Sequence, residues 1–233
     1  MKKQKLVILS GAGISAESGL ATFRGADGLW EGHRVEDVAT PDAWKRNPEL
    51  VLEFYNQRRK QALEAKPNKG HLIIKELEND FEVVVITQNV DNLHEKAKSK
   101  TIIHLHGQLF QSRSTKNPEV IFEMDGWELK LGDKAADESQ LRPNIVWFGE
   151  AVPMIETAID EVATADYVVV VGTSMQVYPA ASLVDYVLRS ATIFVVDPAA
   201  IEVKSTRKVV YIQEVATKGM QKVAEYLRKN LNS

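Results

Sequence analysis

The chain has 233 residues, enough for one α/β domain with a sizeable core or for that domain and a small appended module. Its formal net charge of -3 and pI near 6.0 exclude the overall basic bias typical of nucleic-acid-binding proteins. The absence of cysteine excludes disulfides, thiolate catalysis and cysteine-ligated metal sites. No apolar run approaches the roughly 20 residues of a membrane span, and the charged start precedes too short an apolar stretch for a signal peptide. We expect a cytoplasmic protein with no nucleic-acid or membrane partner.

Runs rich in valine and isoleucine recur along the chain and predict strands. Most are continuously apolar rather than alternating, which is typical of a parallel sheet covered by helices on both faces. In chain order they are 5–10, 81–88, 101–107, 144–149, 167–174, 192–197 and 208–213.

Helical spacing of apolar residues lies between several of these runs, at 153–164, 178–190 and 218–231. Strands and helices therefore alternate in the β-α-β-α order of a doubly wound sheet. We predict an α/β fold with a doubly wound, mostly parallel, Rossmann-like sheet.

Two stretches do not fit this alternation. Residues 27–70 carry two helix starts, Thr40 and Asn47, each followed by a proline at the first helical position. Residues 111–143 are polar and charged, with weak periodicity. We expect the two insertions to form a small module beside a Rossmann-like domain made of residues 1–26, 71–110 and 144–233.

The first predicted strand runs directly into a glycine-rich loop. Gly11 and Gly13 permit a tight turn, and Ala16 occupies the third small position of a G-x-G-x-x-A pattern. At a helix start, such a loop presents N–H groups and a positive dipole end to a pyrophosphate. The alternative is a strand-to-helix turn without a ligand.

The acidic residue that holds the ribose does not follow the pattern of an ordinary dehydrogenase. That acid is expected about 20 positions after the loop, at the end of a second strand, but residues 22–41 form a glycine-containing passage with Arg24 and Trp30. Asp197 instead ends a later predicted strand. The sequence still indicates dinucleotide binding, with the acidic residue at the end of a later strand than in an ordinary dehydrogenase.

Several ordered blocks of the sequence resemble the sirtuin family, the NAD-dependent protein lysine deacylases. The resemblance spans most of the chain, and the blocks follow the family's order and spacing. They are GAGISAESGLATFRG (11–25), TQNVDNLH (87–94), HLHGQLF (104–110), NIVWFGE (144–150) and VVGTSMQVYPAA (170–181).

The resemblance implies NAD as the cofactor and acylated lysine side chains of proteins as the partner. It assigns the dinucleotide to Gly11, Ala12, Gly13, Glu17, Thr22, Phe23, Arg24, Trp30, Gln88, Asn89, Asp91, Gly172, Thr173, Ser174, Asp197 and Ala216. Extended segments that hold the substrate peptide as an added strand would contribute Val146, Phe148, Gly149, Glu150, Val177 and Tyr178.

Two histidines, His104 and His106, lie two apart at the end of a predicted strand, where both would face one side. They could ligate a metal with His94, or one could be a structural, hydrogen-bonded histidine, which suits His104 better. The resemblance selects His106 as the general base. Its position at the carboxyl end of the strand, where open α/β sheets bind ligands, agrees.

The same resemblance implies transfer of the acyl group from lysine to the ribose of NAD, with release of nicotinamide and formation of O-acyl-ADP-ribose. His106, with an ordinary pKa near 6.5, can accept a proton from a ribose hydroxyl at neutral pH. Asn89 and Asp91 would orient nicotinamide and water in the catalytic site.

One arginine, Arg58, falls inside the apolar stripe of the predicted helix that follows Asn47, whereas Arg59 and Lys60 fall outside it. A guanidinium on an apolar face needs an anionic partner. That partner is either an internal Asp or Glu of the small module, or the carboxylate of a succinyl- or malonyl-lysine bound with help from Tyr55. Alternatively, the guanidinium extends past the apolar face to water. The Tyr-x-x-Arg spacing and the small Ala39 are similar to the sirtuin subgroup that prefers acidic acyl groups.

The chain departs from the family in two places. Sirtuins commonly carry a structural zinc on two Cys-x-x-Cys pairs, but residues 111–143 contain neither cysteine nor histidine, and Ser114 and Asn117 stand at the first pair. We therefore expect no metal. The second departure is Asp197, which stands after a predicted strand where the family usually has asparagine. Apolar candidates for packing the zinc-free insertion are Ile121, Phe122, Met124, Trp127, Leu129 and Leu131.

Three further functions are compatible with these residues. A plain deacetylase would use Arg58 structurally, and a mono-ADP-ribosyltransferase would use the same cofactor but need not retain His106. A non-catalytic NAD-binding protein would bind without turnover, against which the set of His106, Asn89 and Asp91 argues.

Overall fold

A six-stranded parallel sheet forms the centre of the computed structural model, which describes residues 3–22, 30–201, 203 and 205–231. The strands in chain order are β1 (Lys5–Ser10), β2 (Glu82–Thr87), β3 (Ile102–His104), β4 (Gly107–Ser114), β5 (Ile121–Glu123), β6 (Leu141–Ile145), β7 (Tyr167–Val171), β8 (Thr192–Val196) and β9 (Lys208–Ile212). The central sheet has the order β3-β2-β1-β7-β8-β9, with every pair parallel. The predicted α/β, Rossmann-like sheet is confirmed.

The chain reverses its direction of strand addition at β1. It adds β2 and β3 on one side and returns to place β7 on the other, so the carboxyl ends of β1 and β7 are neighbours. Just beyond them the Gly11 N–H donates to the Val171 carbonyl oxygen at 3.0 Å. This switch point is where open α/β sheets bind ligands.

Helices cover both faces of the central sheet. They are α1 (Gly13–Ala16), α2 (Val35–Val38), α3 (Pro41–Arg46), α4 (Pro48–Glu64), α5 (Lys69–Leu77), α6 (Leu93–Lys96), α7 (Ile155–Val162), a 3₁₀ helix (Ala180–Tyr186) and α8 (Ala216–Leu231). Alternate residues of β1 point to opposite faces of the sheet. Leu6 and Ile8 pack with α5 and α8 on one face. Val7 and Leu9 pack with α7 and the 3₁₀ helix on the other face. In the described ranges, no helix combines the length and apolar character needed to cross a bilayer.

The two predicted helix starts are present. Thr40 Oγ1 accepts the Ala43 N–H at 3.0 Å at the start of α3, and Asn47 Oδ1 accepts the Leu50 N–H at 3.0 Å at the start of α4. These caps satisfy N–H groups that the first helical turn leaves without partners.

A second, three-stranded antiparallel sheet with the order β5-β4-β6 packs against α4. A separate apolar cluster joins them, in which Phe54 and Tyr55 of α4 meet Leu109 of β4, Ile145 of β6 and Trp147. This cluster positions the inner face of α4 beside the central sheet.

Three strand predictions were wrong in extent, one of them at 167–174, where β7 ends at Val171. The run 144–149 was expected to be a strand, but β6 ends at Ile145 and belongs to the antiparallel sheet. The run 101–107 ends as a strand at His104. At Gly107, where φ is +81 and a Cβ would lie 2.0 Å from the Asn144 carbonyl oxygen, the chain turns into β4. The segment predicted as a helix at 178–190 contains a 3₁₀ helix.

The placement of Arg59 outside the buried face of α4 was also wrong. Arg59 is fully buried, with Nε donating to the Trp127 carbonyl oxygen at 2.6 Å and Nη1 to that of Leu109 at 3.2 Å. The antiparallel sheet and its loops cover a second face of α4, so the helix is buried over more than one stripe.

The insertion at 111–143 is held by polar contacts as well as apolar ones. Leu129 is buried, but Ile121 and Leu131 are exposed, so those two packing predictions were wrong. Ser114 Oγ accepts the N–H groups of Lys116 at 3.1 Å and Asn117 at 3.0 Å and donates to Asp137 Oδ2 at 2.7 Å. This serine anchors the loop in which the family carries its first cysteine pair.

Candidate active site

A cavity of about 540 Å³ lies at the carboxyl ends of β1, β2 and β7 and extends to α4 and the segment after β6. Its volume is in the range of small-molecule sites. Most of the predicted site residues contribute to its wall. They are Gly11, Ala12, Gly13, Thr22, Trp30, Ala39, Tyr55, Arg58, Gln88, Asn89, Asp91, His106, Val146, Phe148, Gly149, Glu150, Gly172, Thr173, Ser174, Val177, Tyr178 and Asp197.

Some predicted residues are not on this wall. Glu17 faces α8, where its carboxylate accepts the Thr217 N–H at 3.0 Å and the Thr217 hydroxyl at 2.8 Å, and Ala216 is buried at the start of the same helix. Phe23 and Arg24 lie outside the described residues.

The glycine loop packs directly on the loop after β7. The Gly13 N–H donates to the Gly172 carbonyl oxygen at 2.8 Å, and a Cβ on Gly13 would lie 2.6 Å from the Gly172 Cα. Only glycine permits this approach of two backbones. The helix that follows, α1, is a single turn.

Gln88 and Thr173 close the base of the cavity between β2 and β7. Gln88 Nε2 donates to Thr173 Oγ1 at 3.0 Å, and the Gln88 N–H donates to the Ser10 carbonyl oxygen at 2.9 Å. The contacts hold the residue after β2 against the ends of β1 and β7.

A buried polar group joins the glycine loop to the residues after β2. Ser15 Oγ donates to Asp91 Oδ2 at 2.9 Å and accepts from Asn89 Nδ2 at 3.2 Å, while Asp91 Oδ1 accepts the Leu93 N–H at 3.0 Å. Burial raises the pKa of Asp91 above its ordinary value. Asn89 and Asp91 therefore have fixed orientations at the cavity wall.

His106 follows β3 and lines the cavity. Its Nδ1 lies 3.1 Å from the Gln88 carbonyl oxygen, and because a carbonyl can only accept, Nδ1 carries the proton and Nε2 is the free base. Burial lowers the pKa of His106, against the raising effect of this hydrogen bond. The imidazole is neutral, and thus able to accept a proton, at neutral pH.

His104 makes different contacts. Its Nδ1 lies 3.1 Å from the Asn89 carbonyl oxygen and its Nε2 lies 2.6 Å from Glu95 Oε1. Both ring nitrogens are used within the protein, as expected for a structural histidine. Among the described residues no group of three or more His, Asp or Glu side chains is arranged to hold a metal ion.

The far end of the cavity contains the predicted acyl pocket. Ala39, Tyr55 and Arg58 all line it, and Tyr55 is fully buried with its hydroxyl accepting the Trp147 Nε1–H at 3.1 Å. Burial raises the pKa of Tyr55 far above its ordinary value, so the hydroxyl stays protonated.

Arg58 is 8% exposed, and the described residues pair with only part of its guanidinium. Its Nε donates to Gln61 Oε1 at 3.2 Å, its Nη2 lies 3.8 Å from Glu31 Oε2, and its Nη1 is buried without a hydrogen-bond partner among the described residues. Burial lowers its pKa, while Glu31 raises it. The internal ion pair that the sequence left open is therefore present, but long, and within the described ranges Nη1 has no partner.

The segment predicted to hold the peptide is a turn rather than an extended strand. Gly149 has φ +90, and the Glu150 N–H donates to the Trp147 carbonyl oxygen at 3.0 Å. Burial alone would raise the pKa of Glu150, but hydrogen bonds from Arg142 at 2.7 and 3.0 Å outweigh it and the pKa is lowered. Glu150 is thus a charged anchor of this turn.

Three residues of the site were missed in the sequence. Ser15 lies two positions after Gly13, in a block already assigned to the cofactor, and that position was an available signal. Trp147 lies between Val146 and Phe148 in a block already assigned to the substrate, so it had a similar signal, and it contacts Tyr55. Glu31 carried no comparable signal, because its contact with Arg58 arises only in the folded chain.

The residues present suit a dinucleotide. The glycine loop exposes main chain at the switch point, Asp197 follows β8, and the polar groups Gln88 and Asn89 line the same cavity. Backbone groups and a carboxylate are the partners that pyrophosphate and ribose require.

Comparisons with known proteins agree with this geometry. A family model described as the Sir2 family matches residues 11–179. A protein of Bacteroides thetaiotaomicron named NAD-dependent protein deacylase is 52% identical over 229 residues, covering 96% of this chain and 98% of the relative. One of Helicobacter pylori with the same name is 54% identical over 220 residues, covering 94% and 95%. A crystal structure of a Sir2 homolog–NAD complex superposes with a TM-score of 0.86 at 40% identity, covering 98% of this chain and 91% of the other.

The sheet and the position of its cavity define a nucleotide-binding α/β protein. The match to the family model and the identity to full-length relatives go further: the chain belongs to the Sir2 family. The resemblance stated from the sequence blocks is confirmed.

Proposed function

We propose that this chain is an NAD-dependent protein lysine deacylase that favours succinyl and malonyl groups, accepts acetyl less well, and yields nicotinamide and O-acyl-ADP-ribose. The deacylase activity and the cofactor follow from the family and from relatives that carry that name. The acyl preference rests on the far end of the cavity.

The observation that carries the preference is the guanidinium of Arg58, which the described residues satisfy only in part. Its Nη1 is buried without a hydrogen-bond partner in the described part of the chain, the Arg58 side chain lines the cavity, and the carboxylate of Glu31 is 3.8 Å from Nη2. An unpaired buried donor is costly. A carboxylate at the end of an acyl chain would satisfy it with a charge-assisted hydrogen bond.

Tyr55 and Ala39 support the same preference. The protonated hydroxyl of Tyr55 provides a second donor three residues before Arg58 on α4, where i and i+3 side chains are neighbours. Ala39 is buried at the wall and contributes only a methyl group, which leaves room for an acyl chain longer than acetyl.

At the other end we assign proton transfer to His106. NAD, when bound, supplies an electrophilic ribose carbon and the hydroxyl group that receives the acyl group. His106 Nε2, held as the free base by the hydrogen bond between Nδ1 and Gln88, accepts the proton of that hydroxyl. Ser15 holds Asn89 and Asp91 so that their polar atoms orient the nicotinamide end.

The rim of the cavity is suited to a peptide. Tyr178 is 75% exposed and Phe148 is 41% exposed, and they lie on the two segments predicted to hold the substrate backbone. A peptide held between these two segments by apolar side chains and main-chain hydrogen bonds can have many different sequences. Acylated protein lysines, rather than one defined protein, are the proposed substrates.

The principal rival is a plain deacetylase in which Arg58 serves its ion pair with Glu31. The two functions are separated by supplying NAD and three peptides that differ only in an acetyl, succinyl or malonyl group on one lysine. Nicotinamide release and peptide mass report turnover. We expect higher kcat/KM for succinyl and malonyl peptides; equal values, or a preference for acetyl, would reject the acidic acyl preference.

The same assay distinguishes a mono-ADP-ribosyltransferase and a non-catalytic NAD-binding protein from a deacylase. Nicotinamide release with an ADP-ribosylated peptide indicates the transferase, and NAD binding without nicotinamide release indicates the non-catalytic protein. The division into a Rossmann-like domain and a small module, the cytoplasmic location, and the cofactor roles of Glu17 and Ala216 stay predictions.

A further inference from the structure

The Tyr55 hydroxyl is held by an indole. Trp147 Nε1 lies 3.1 Å from Tyr55 Oη, and the two side chains are 2% and 0% exposed. An indole N–H can only donate, so the Tyr55 oxygen is the acceptor in this bond. The hydroxyl proton of Tyr55 is consequently available to a different partner.

The indole is itself fixed on several sides. The guanidinium carbon of Arg142 lies 3.3 Å from the Trp147 ring centroid, and the Trp44 ring lies 5.9 Å away on the cluster that joins α4 to the second sheet. The backbone N–H of Trp147 donates to Glu150 Oε2 at 2.8 Å, and the Glu150 carboxylate accepts two hydrogen bonds from Arg142. Both the face and the backbone of Trp147 are therefore anchored.

This anchoring determines the direction in which Tyr55 can donate. One lone pair of the hydroxyl oxygen is committed to Trp147 on the side of the apolar cluster, while Tyr55 also lines the cavity beside Arg58. A hydroxyl that accepts a hydrogen bond donates more strongly in another direction. The contact thus leaves the hydroxyl proton for a partner other than Trp147, and the cavity that Tyr55 and Arg58 both line is where such a partner can bind.

We propose that Trp147 is a positioning residue for acyl selectivity, because its indole N–H directs the Tyr55 hydroxyl to donate to the carboxylate of an acidic acyl group. The inference rests on the proposed preference for succinyl and malonyl groups. An acetyl group has no carboxylate to receive this hydrogen bond. The effect of Trp147 therefore falls on the ratio between acyl substrates, and on KM more than on kcat.

The test is Trp147→Phe, which keeps an aromatic ring against Arg142 and Trp44 but removes the donor. We expect KM for a succinyl peptide to rise roughly fivefold, the change typical of one lost hydrogen bond. The succinyl-to-acetyl ratio of kcat/KM should fall by a similar factor. Trp44→Phe is the matched control, since the same change of ring at the neighbouring position should leave the ratio as it is.

Tyr55→Phe and the double variant separate this inference from the proposed function. The inference is supported when Trp147→Phe lowers the ratio in the native background but not when Tyr55 is already phenylalanine. It is overturned when Tyr55→Phe lowers the ratio and Trp147→Phe does not, a result that leaves the proposed function standing. If Trp147→Phe lowers kcat/KM equally for succinyl and acetyl peptides, Trp147 has a structural role and the inference is also overturned. A ratio unaffected by Tyr55→Phe removes both this inference and the part of the proposed function assigned to Tyr55.

Discussion

The Nδ1 atom of His106 lies 3.1 Å from the carbonyl oxygen of Gln88, the residue that follows β2. That hydrogen bond fixes the tautomer of the neutral ring, with the basic Nε2 remaining for proton transfer. Gly107 makes the placement possible, because the chain must turn with a positive φ immediately after the histidine.

Replacing His106 by alanine removes the proposed base without changing the glycine loop. We expect kcat to fall by about 10²- to 10⁴-fold, as is typical when a general base is lost. NAD binding, followed by calorimetry, should persist in this variant. A His106→Ala protein that turns over at a rate close to the native one would refute the assignment.

The acid limb of the pH profile should report the same histidine. Burial lowers the pKa of His106 below 6.5, so the free base is present at neutral pH and is lost as pH falls through the lowered pKa. We therefore expect kcat/KM to be constant near pH 7 and to decline below pH 6.5. A midpoint of this limb above 6.5 would be inconsistent with the buried, neutral ring.

Glu31 competes with the substrate for Arg58 in the proposed function. The two side chains are 3.8 Å apart, and the Glu31 side chain is 23% exposed. Glu31→Gln should lower KM for a succinyl peptide by about two- to fivefold, in keeping with the modest free energy of a partly exposed ion pair. Glu36→Gln, at an exposed glutamate paired with Arg34, is the control. A raised KM in Glu31→Gln would mean that Glu31 supports Arg58 instead.

The polar anchor of the zinc-free insertion can be tested by stability. Ser114 is 1% exposed, and its hydroxyl satisfies the N–H groups of Lys116 and Asn117. Ser114→Ala leaves these without their partner and should reduce the free energy of unfolding by about 1–3 kcal/mol. Urea denaturation measures the change, with exposed Ser190→Ala as the control. An unchanged midpoint would show that the insertion does not depend on this serine.

Local patterns were sufficient for the central sheet and for the cofactor end of the cavity. The apolar runs of β1, β2, β7 and β8 carry their own signal, since a strand buried on both faces is continuously apolar. The glycine loop and Asp197 follow directly from the ends of such runs, and the structure brings both to one cavity.

The errors occur where burial depends on a distant segment. Arg59 is polar by composition, and its burial arises because β4 and the loop at Trp127 cover a second face of α4. The apolar run at 144–149 resembles a core strand, but Trp147 is buried against α4 rather than inside the parallel sheet. No periodicity within one segment could have shown either contact.

The proposed acyl preference is tested most sharply by the succinyl-to-acetyl ratio of kcat/KM in Arg58→Met, compared with Lys60→Met on the exposed side of the same helix. In Arg58→Met the acyl carboxylate loses a buried partner, so kcat/KM for the succinyl peptide should fall on the order of a hundredfold. In Lys60→Met the succinyl-to-acetyl ratio should match that of the native protein. If kcat/KM for the succinyl peptide is unchanged in Arg58→Met, Arg58 is not the partner of that carboxylate.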